Sequence, residues 1–259
     1  MSPNGSTPGD ATPKDDDLAR MTLTEHLTEL RRRLIICVVA VGLGTLIAFF
    51  LYNAVIHFIS GPYRSFANRH PDKVIAGGKL VVTGPLEGFS TRLKVSGYLG
   101  LFLASPIVLW ELWRFITPGL HKNEKRYAIP FVLSAILLFS LGVLTAILVW
   151  PKALDFLIGV GGKDIATLFG PQKYVNLYVA ACAIFGLVFL FPIVLVFLEI
   201  AGVVPSRRWR RWRRPAIVVI AIVAAVATPS NDPYSFVAMA VPLYVFYELS
   251  IIVGRILHK

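Results

Sequence analysis

Charge leaves this chain in blocks. Leu34–Tyr52, Val95 to about Leu112, Tyr127–Trp150, Tyr174–Leu198, Pro215–Ala227 and Tyr234–Tyr247 are six apolar runs, and Glu111 is the one charged residue inside them. The first four have the length of membrane-crossing helices, roughly 18 residues or more, and no alternation that would suit half-buried strands. The last two hold only thirteen and fourteen residues. Thirteen helical residues reach about 20 Å against a hydrocarbon core of ~30 Å. They form either a re-entrant hairpin, whose tip must be buried in protein, or two crossings that thin the bilayer. The pattern predicts an all-α polytopic membrane protein.

Ahead of the first run stands Met-Thr-Leu-Thr-Glu-His-Leu-Thr-Glu-Leu-Arg-Arg-Arg, residues 21–33. Thr22 and Glu25 have capping-box spacing, so a helix is expected to start at Thr22. From there to Tyr52 it is ~46 Å long, which leaves a charged foot standing in the headgroups or beyond. Residues 1–20, rich in Pro, Gly, Ser, Thr and Asp, cannot bury a core, and we expect a disordered tail. That tail lacks the marks of a cleavable signal or transit peptide, which favours a bacterial cytoplasmic membrane over an imported organelle protein. Residues 21–254 make up the membrane domain and 255–259 a second tail.

The connection from Asn53 to Arg92 contains Pro62, His70-Pro71, Gly77-Gly78 and Gly84-Pro85. Its apolar-periodic parts, Ala54–Ile59 and Leu86–Leu93, predict short interfacial helices around a turn-rich middle. Ser105-Pro106 should kink the second span, Pro151 should close the third, and Pro192 should kink the fourth. With Pro242 in the sixth, these kinks would bow the bundle or simply sit in packed spans.

Composition agrees with the pattern. Of 259 residues, 56% are hydrophobic and 16% charged, against ~25% charged in soluble domains. A net charge of +11 raises nucleic acid as a partner, but no basic stretch carries a binding pattern. The basic residues instead flank the spans. Six crossings with the N-terminus inside place 17 of the 26 Lys and Arg in inside segments. Six arginines lie between Ser206 and Arg214, and none lies in the 228–233 turn. Both termini are therefore expected on the cytoplasmic side.

Candidate chemistry is sparse. Cys37 and Cys182 lie in apolar runs and read as small hydrophobes. The five histidines share no ligand spacing, and no nucleophile elbow, His-Glu-x-x-His or phosphate-cradling loop occurs. Neither a cofactor nor an enzyme is predicted. His121 beside Glu124 reads as solvated charge in a headgroup-level loop. Glu29 lies four residues before Arg33, which allows an intrahelical ion pair. Glu124 follows Asn123 and would suit a helix N-terminus. Both acids, however, stand at inner span ends amid excess positive charge, where two carboxylates could clamp two guanidiniums of an incoming chain. Glu111, Glu199 and Glu248 also lie near inner ends and are expected to snorkel or meet headgroups. A secondary transporter of small solutes, the alternative class, would carry midplane ionisable residues and an internal repeat, and neither is found.

His-Leu-Thr-Glu-Leu-Arg-Arg-Arg-Leu (26–34) and Glu-Leu-Trp-Arg-Phe-Ile-Thr-Pro-Gly-Leu-His-Lys-Asn-Glu-Lys-Arg (111–126) resemble signatures of the TatC family. These are the receptor subunits of twin-arginine protein translocases. Gly-Pro-Leu-Glu-Gly-Phe-x-x-x-Leu-Lys-Val (84–95) and Thr-Pro-Ser-Asn-Asp (228–232) are similar to the family as well. The likeness runs from about Thr24 to Arg255. It implies six spans with short spans 5 and 6, a cupped bundle capped by outer loops, and recognition of twin-arginine signal peptides of folded cargo at the cytoplasmic face. By that resemblance Glu29 and Glu124 meet the arginine pair, with Leu30, Arg31 and Phe115 close by. Pro62, Pro85, Phe89 and Asp232 match outer-side functional positions. The implied partners are small single-span subunits of the TatA/TatB type packing on spans 5 and 6, in an oligomeric complex driven by the proton-motive force. The family commonly has an acid or amide within span 4, for contact with a partner helix. Here Leu190 stands there, in Phe189-Leu190-Phe191-Pro192.

Overall fold

The computed structural model describes residues 23–116, 128–162, 167–200 and 211–257. Seven α-helices run through them: α1 (Leu23–Arg69), α2 (Glu87–Ile116), α3 (Ala128–Val160), α4 (Pro171–Val188), α5 (Phe191–Ile200), α6 (Arg213–Ala227) and α7 (Pro233–Leu257). Taking α4 and α5 as one span, five spans are long and apolar enough to cross a membrane. The sixth, α6, has 15 residues, the short span that the apolar pattern predicts. The chain is an all-helical, multi-pass membrane protein of six spans.

Prolines part the expectation from the outcome. The first helix does not end at Tyr52 but runs 47 residues, through Pro62 to Arg69. A proline leaves carbonyls of the preceding turn without their usual donor. At Pro62 the carbonyl four residues back is Phe58 O; the side-chain bonds nearby go to the two carbonyls before it, Ser60 Oγ donating to Ile56 O at 2.7 Å and Arg64 Nη2 to His57 O at 2.5 Å. Burial of Ile59, Tyr63, Phe66 and Ala67 then holds the last third of the helix. The predicted interfacial helices are thus the ends of α1 and α2. In α2 the helix continues past Pro106, with Ser105 Oγ donating 2.7 Å to Phe102 O, the carbonyl four residues before the proline. Pro151 does not close α3, which runs on to Val160 with Ala153, Leu154 and Ile158 buried. Pro192 does more than kink: it separates α4 from α5 at Phe189-Leu190, and buried Ser250 reaches across to Pro192 O at 3.4 Å. The last helix outgrows its apolar run to 25 residues, and Glu248, just past that run, is paired with Arg213 at 2.6 Å.

α1 and α2 pack most extensively, and they do so by backbone approach. A Cβ on Gly100 would lie 2.3 Å from Thr45 Oγ1, so only glycine fits. On one wall three apolar hollows of about 410, 360 and 270 Å³ follow one another and share residues, Tyr98, Phe102 and Phe139 between the first two and Leu109 and Leu190 between the last two. At the Arg69 end the α1–α2 connection folds over the bundle. Val74 bridges in parallel to Thr167, Thr167 N–H donates to Lys73 O at 2.8 Å, and Val81 N–H to Phe169 O at 3.2 Å. Gly78 makes this turn possible, at φ +75° and with Ala67 Cβ only 2.5 Å from where its own Cβ would be.

Candidate functional site

The foot of α1 meets the end of α2. Glu29 and Arg33 are one helical turn apart and form an ion pair. Arg33 reaches on across the helix interface, Nη1 donating to Glu111 Oε2 at 3.1 Å. Arg114, one turn beyond Glu111, stands 4.0 Å from its other oxygen. Glu111 is thereby a buried carboxylate, 7% exposed, rather than one that snorkels. No spacing rule could pair it with Arg33, because 78 residues separate the two. The available signal was its position as the one acid inside an apolar run.

Glu29, Arg32, Arg33, Ile36, Glu111 and Arg114 line a cavity of about 160 Å³, room for several waters or one flat guanidinium. Glu29 Oε2 and Arg33 Nε are buried there without a hydrogen-bond partner among the described residues. An unmatched carboxylate oxygen in a low-dielectric setting carries a desolvation cost that an incoming donor would relieve. Chemically, this end of the bundle can accept N–H donors in a fixed plane.

The remaining predicted positions divide. Leu30 and Arg31 are exposed beside Glu29, and Phe115 is half-buried at the end of α2. Glu124 lies outside the described residues, as do Thr22 of the expected capping box and the 206–210 part of the arginine loop. Pro62 is inside α1, about 50 Å along the helix from Glu29. Pro85 is exposed in the turn before α2, and Phe89, 65% exposed, stands on the first turn of that helix. That turn is braced by Glu87 Oε2, which accepts from Thr83 N and Oγ1 at 2.7 and 2.8 Å. Asp232 is 1% exposed and caps α7: its Oδ1 accepts from Ser235 N at 2.7 Å, and its Oδ2 from Ser230 Oγ. Leu190 lines two of the three apolar hollows. Glu199, expected at headgroup level, is instead a buried side chain, 1% exposed.

These features can be set beside known proteins. The family model for Sec-independent protein translocase protein (TatC) matches residues 25–242. Sec-independent protein translocase protein TatC of Koribacter versatilis is 38% identical over 93% of this chain and 88% of its own. That of Aquifex aeolicus is 37% identical over 91% of this chain and 95% of its own. The longer protein of Frankia casuarinae is 36% identical over 91% of this chain and 66% of its own. Among solved structures, a crystal structure of the twin-arginine translocase receptor TatC matches with a TM-score of 0.69 at 35% identity, covering 91% of this chain and all of that one. A second, in DDM, gives 0.70 at 36%. With the match extending from the foot of α1 into α7, the chain belongs to the TatC family of Sec-independent protein translocase proteins.

Proposed function

We propose that this chain is the receptor subunit that binds twin-arginine signal peptides of folded cargo, at the cytoplasmic face of a bacterial cytoplasmic membrane. Both termini are cytoplasmic in this reading. The observation that carries it is the Glu29 carboxylate, at one end of a TatC-family bundle, with one oxygen buried and unmatched among the described residues beside a cavity of guanidinium size. Glu29 and Glu124 take the arginine pair, with Leu30, Arg31 and Phe115 supplying the surrounding contacts. Arginine suits such a site because its planar fork bonds carboxylates bidentately, whereas lysine is a point charge.

Small single-span subunits of the TatA/TatB type are the proposed partners, and transport draws on the proton-motive force. Pro62, Pro85, Phe89 and Asp232 act on the outer side, where they shape the cap. Leu190 is the proposed partner-helix contact, through shape rather than a buried acid. Family membership leaves the solute-transporter reading without support.

Titrating a twin-arginine peptide onto the purified chain tests the reading. Glu29→Ala and Glu124→Ala should each weaken binding while the protein still inserts. Equal affinity for a Lys-Lys peptide would overturn arginine recognition. For Leu190, abundant crosslinks from position 190 to a single-span partner are expected, and their absence would remove that contact.

A further inference from the structure

The carboxylate offered to an incoming arginine already holds one. Arg33 spans Glu29 and Glu111, and its side chain is only 13% exposed. Three guanidiniums and two carboxylates surround the cavity, so the lining carries one excess positive charge. A further guanidinium entering this space meets like charge and finds Glu29 already engaged, so a resident one must let go of Glu29 for the newcomer to pair. Arg33 is the group in its way, and Glu111 is the place it has to go.

We propose that Arg33 is a built-in competitor for the peptide-binding carboxylate, and that Glu111 is the positioning residue that retains Arg33 when an incoming arginine takes Glu29. This rests on the reading of Glu29 as an arginine-binding group. The exchange leaves both acids neutralised throughout. Before it, Glu29 and Glu111 share Arg33, and Arg114 stands 4.0 Å from the other oxygen of Glu111. After it, Glu29 holds the peptide's fork and Glu111 holds Arg33 alone. Because no carboxylate is stripped bare, the desolvation penalty of an unpaired buried charge is avoided. Selectivity follows from the same competition. An arginine replaces Arg33 on Glu29 like for like and adds a bond to the unmatched Oε2, whereas a lysine offers a single point charge against a planar fork.

The test is fluorescence anisotropy of a labelled peptide, an Arg-Arg pair followed by an apolar segment, titrated onto the full chain in micelles. Removing the competitor with Arg33→Gln should tighten binding about tenfold, equivalent to about 1.4 kcal/mol. Glu111→Gln should weaken it about tenfold, because Arg33 then has only Glu29 to hold. The double variant Arg33→Gln/Glu111→Gln should bind at least as well as wild type. It also keeps the test decisive if an unpaired Glu111 prevents Arg33→Gln from folding. A Lys-Lys peptide should gain more than the Arg-Arg peptide from Arg33→Gln, narrowing the discrimination between them. A double variant as weak as Glu111→Gln alone would overturn the proposal, since Glu111 would then act without Arg33. So would weaker binding by Arg33→Gln. Glu29→Ala separates the two failures. If it weakens binding while changes at 33 and 111 do nothing, the competitor inference falls alone. If it has no effect, the receptor reading falls with it.

Discussion

The two ends of α1, Glu29 and Arg69, lie about 60 Å apart along one helix, and the chain treats them in opposite ways. Around Arg69 most polar groups are tied to one another across elements, His70 Nδ1 being the buried exception among the described residues. Tyr174 OH donates to Ile59 O at 2.8 Å and receives Trp150 Nε1–H at 3.1 Å. Tyr63 OH reaches Thr167 O at 3.3 Å, and Arg69 grips Asp155 with two bonds of 3.0 and 2.9 Å. Around Glu29 the ion pairs are half-buried, and two polar atoms lack partners among the described residues. One end spends its polarity on holding the helices together. The other leaves some unmatched, as a binding surface must, because recognition needs groups that gain more from a ligand than they have in its absence.

If that contrast is right, damage to the first end costs stability and damage to the second costs binding. The largest effect is expected at Tyr174, whose ring lies among Tyr63, Trp150, Phe169 and Tyr178. Tyr174→Ala should destabilise by about 3–5 kcal/mol through the cavity it leaves. Thermal unfolding in detergent reads this, while the folded fraction keeps its peptide affinity. Lost affinity at unchanged unfolding temperature would abolish the division.

Next comes Glu29→Ala, with the opposite signature. An i,i+4 ion pair stabilises a helix by only a few tenths of a kcal/mol, so unfolding should hardly move. Peptide affinity should fall about 30-fold, the loss of one charge-assisted contact of about 2 kcal/mol. A large drop in stability with binding intact would make Glu29 part of the frame.

Asp232 sits between these cases. Its bonds to Ser235 N and Ser230 assign it the work of an N-cap, and Asp232→Ala should cost about 1 kcal/mol. Asn caps as well as Asp, so Asp232→Asn should restore stability. A transport defect that persists in Asp232→Asn at wild-type unfolding temperature would show that the charge, not the cap, is needed on that side.

How much of this could be read from residues alone depends on where each rule acts. Apolar runs locate all six spans, because burial in lipid is a property of composition. Proline rules failed where tertiary burial outweighed the local penalty, as at Pro62 and Pro151, while at Pro106 the helix runs on with Ser105 Oγ donating to the freed Phe102 O. At Pro192 no side chain among the described residues is seen to take that part, and the helix separates. In the candidate site the Glu29–Arg33 pair was legible from its spacing. Its extension to Glu111 was not, because it depends on the register of α1 against α2, and that register is set by the close approach of Thr45 to Gly100 far from either charge.

The smallest effect is the most direct comparison, since each end carries an Arg–carboxylate pair between helices. Arg69 and Asp155 are 52% and 34% exposed, and Arg33 and Glu111 are 13% and 8%. Solvent screens the first pair, so a double-mutant cycle over Arg69→Gln and Asp155→Asn should give a coupling of about 0.5 kcal/mol that fades as salt is raised. The same cycle over Arg33→Gln and Glu111→Gln should give a larger coupling that salt barely touches, because breaking one partner strands a buried charge. Equal couplings, or equal salt dependence, would mean that the two ends differ in geometry but not in environment. The Glu29 end would then lose its claim to be the place where an incoming guanidinium finds charge that water has not already quenched.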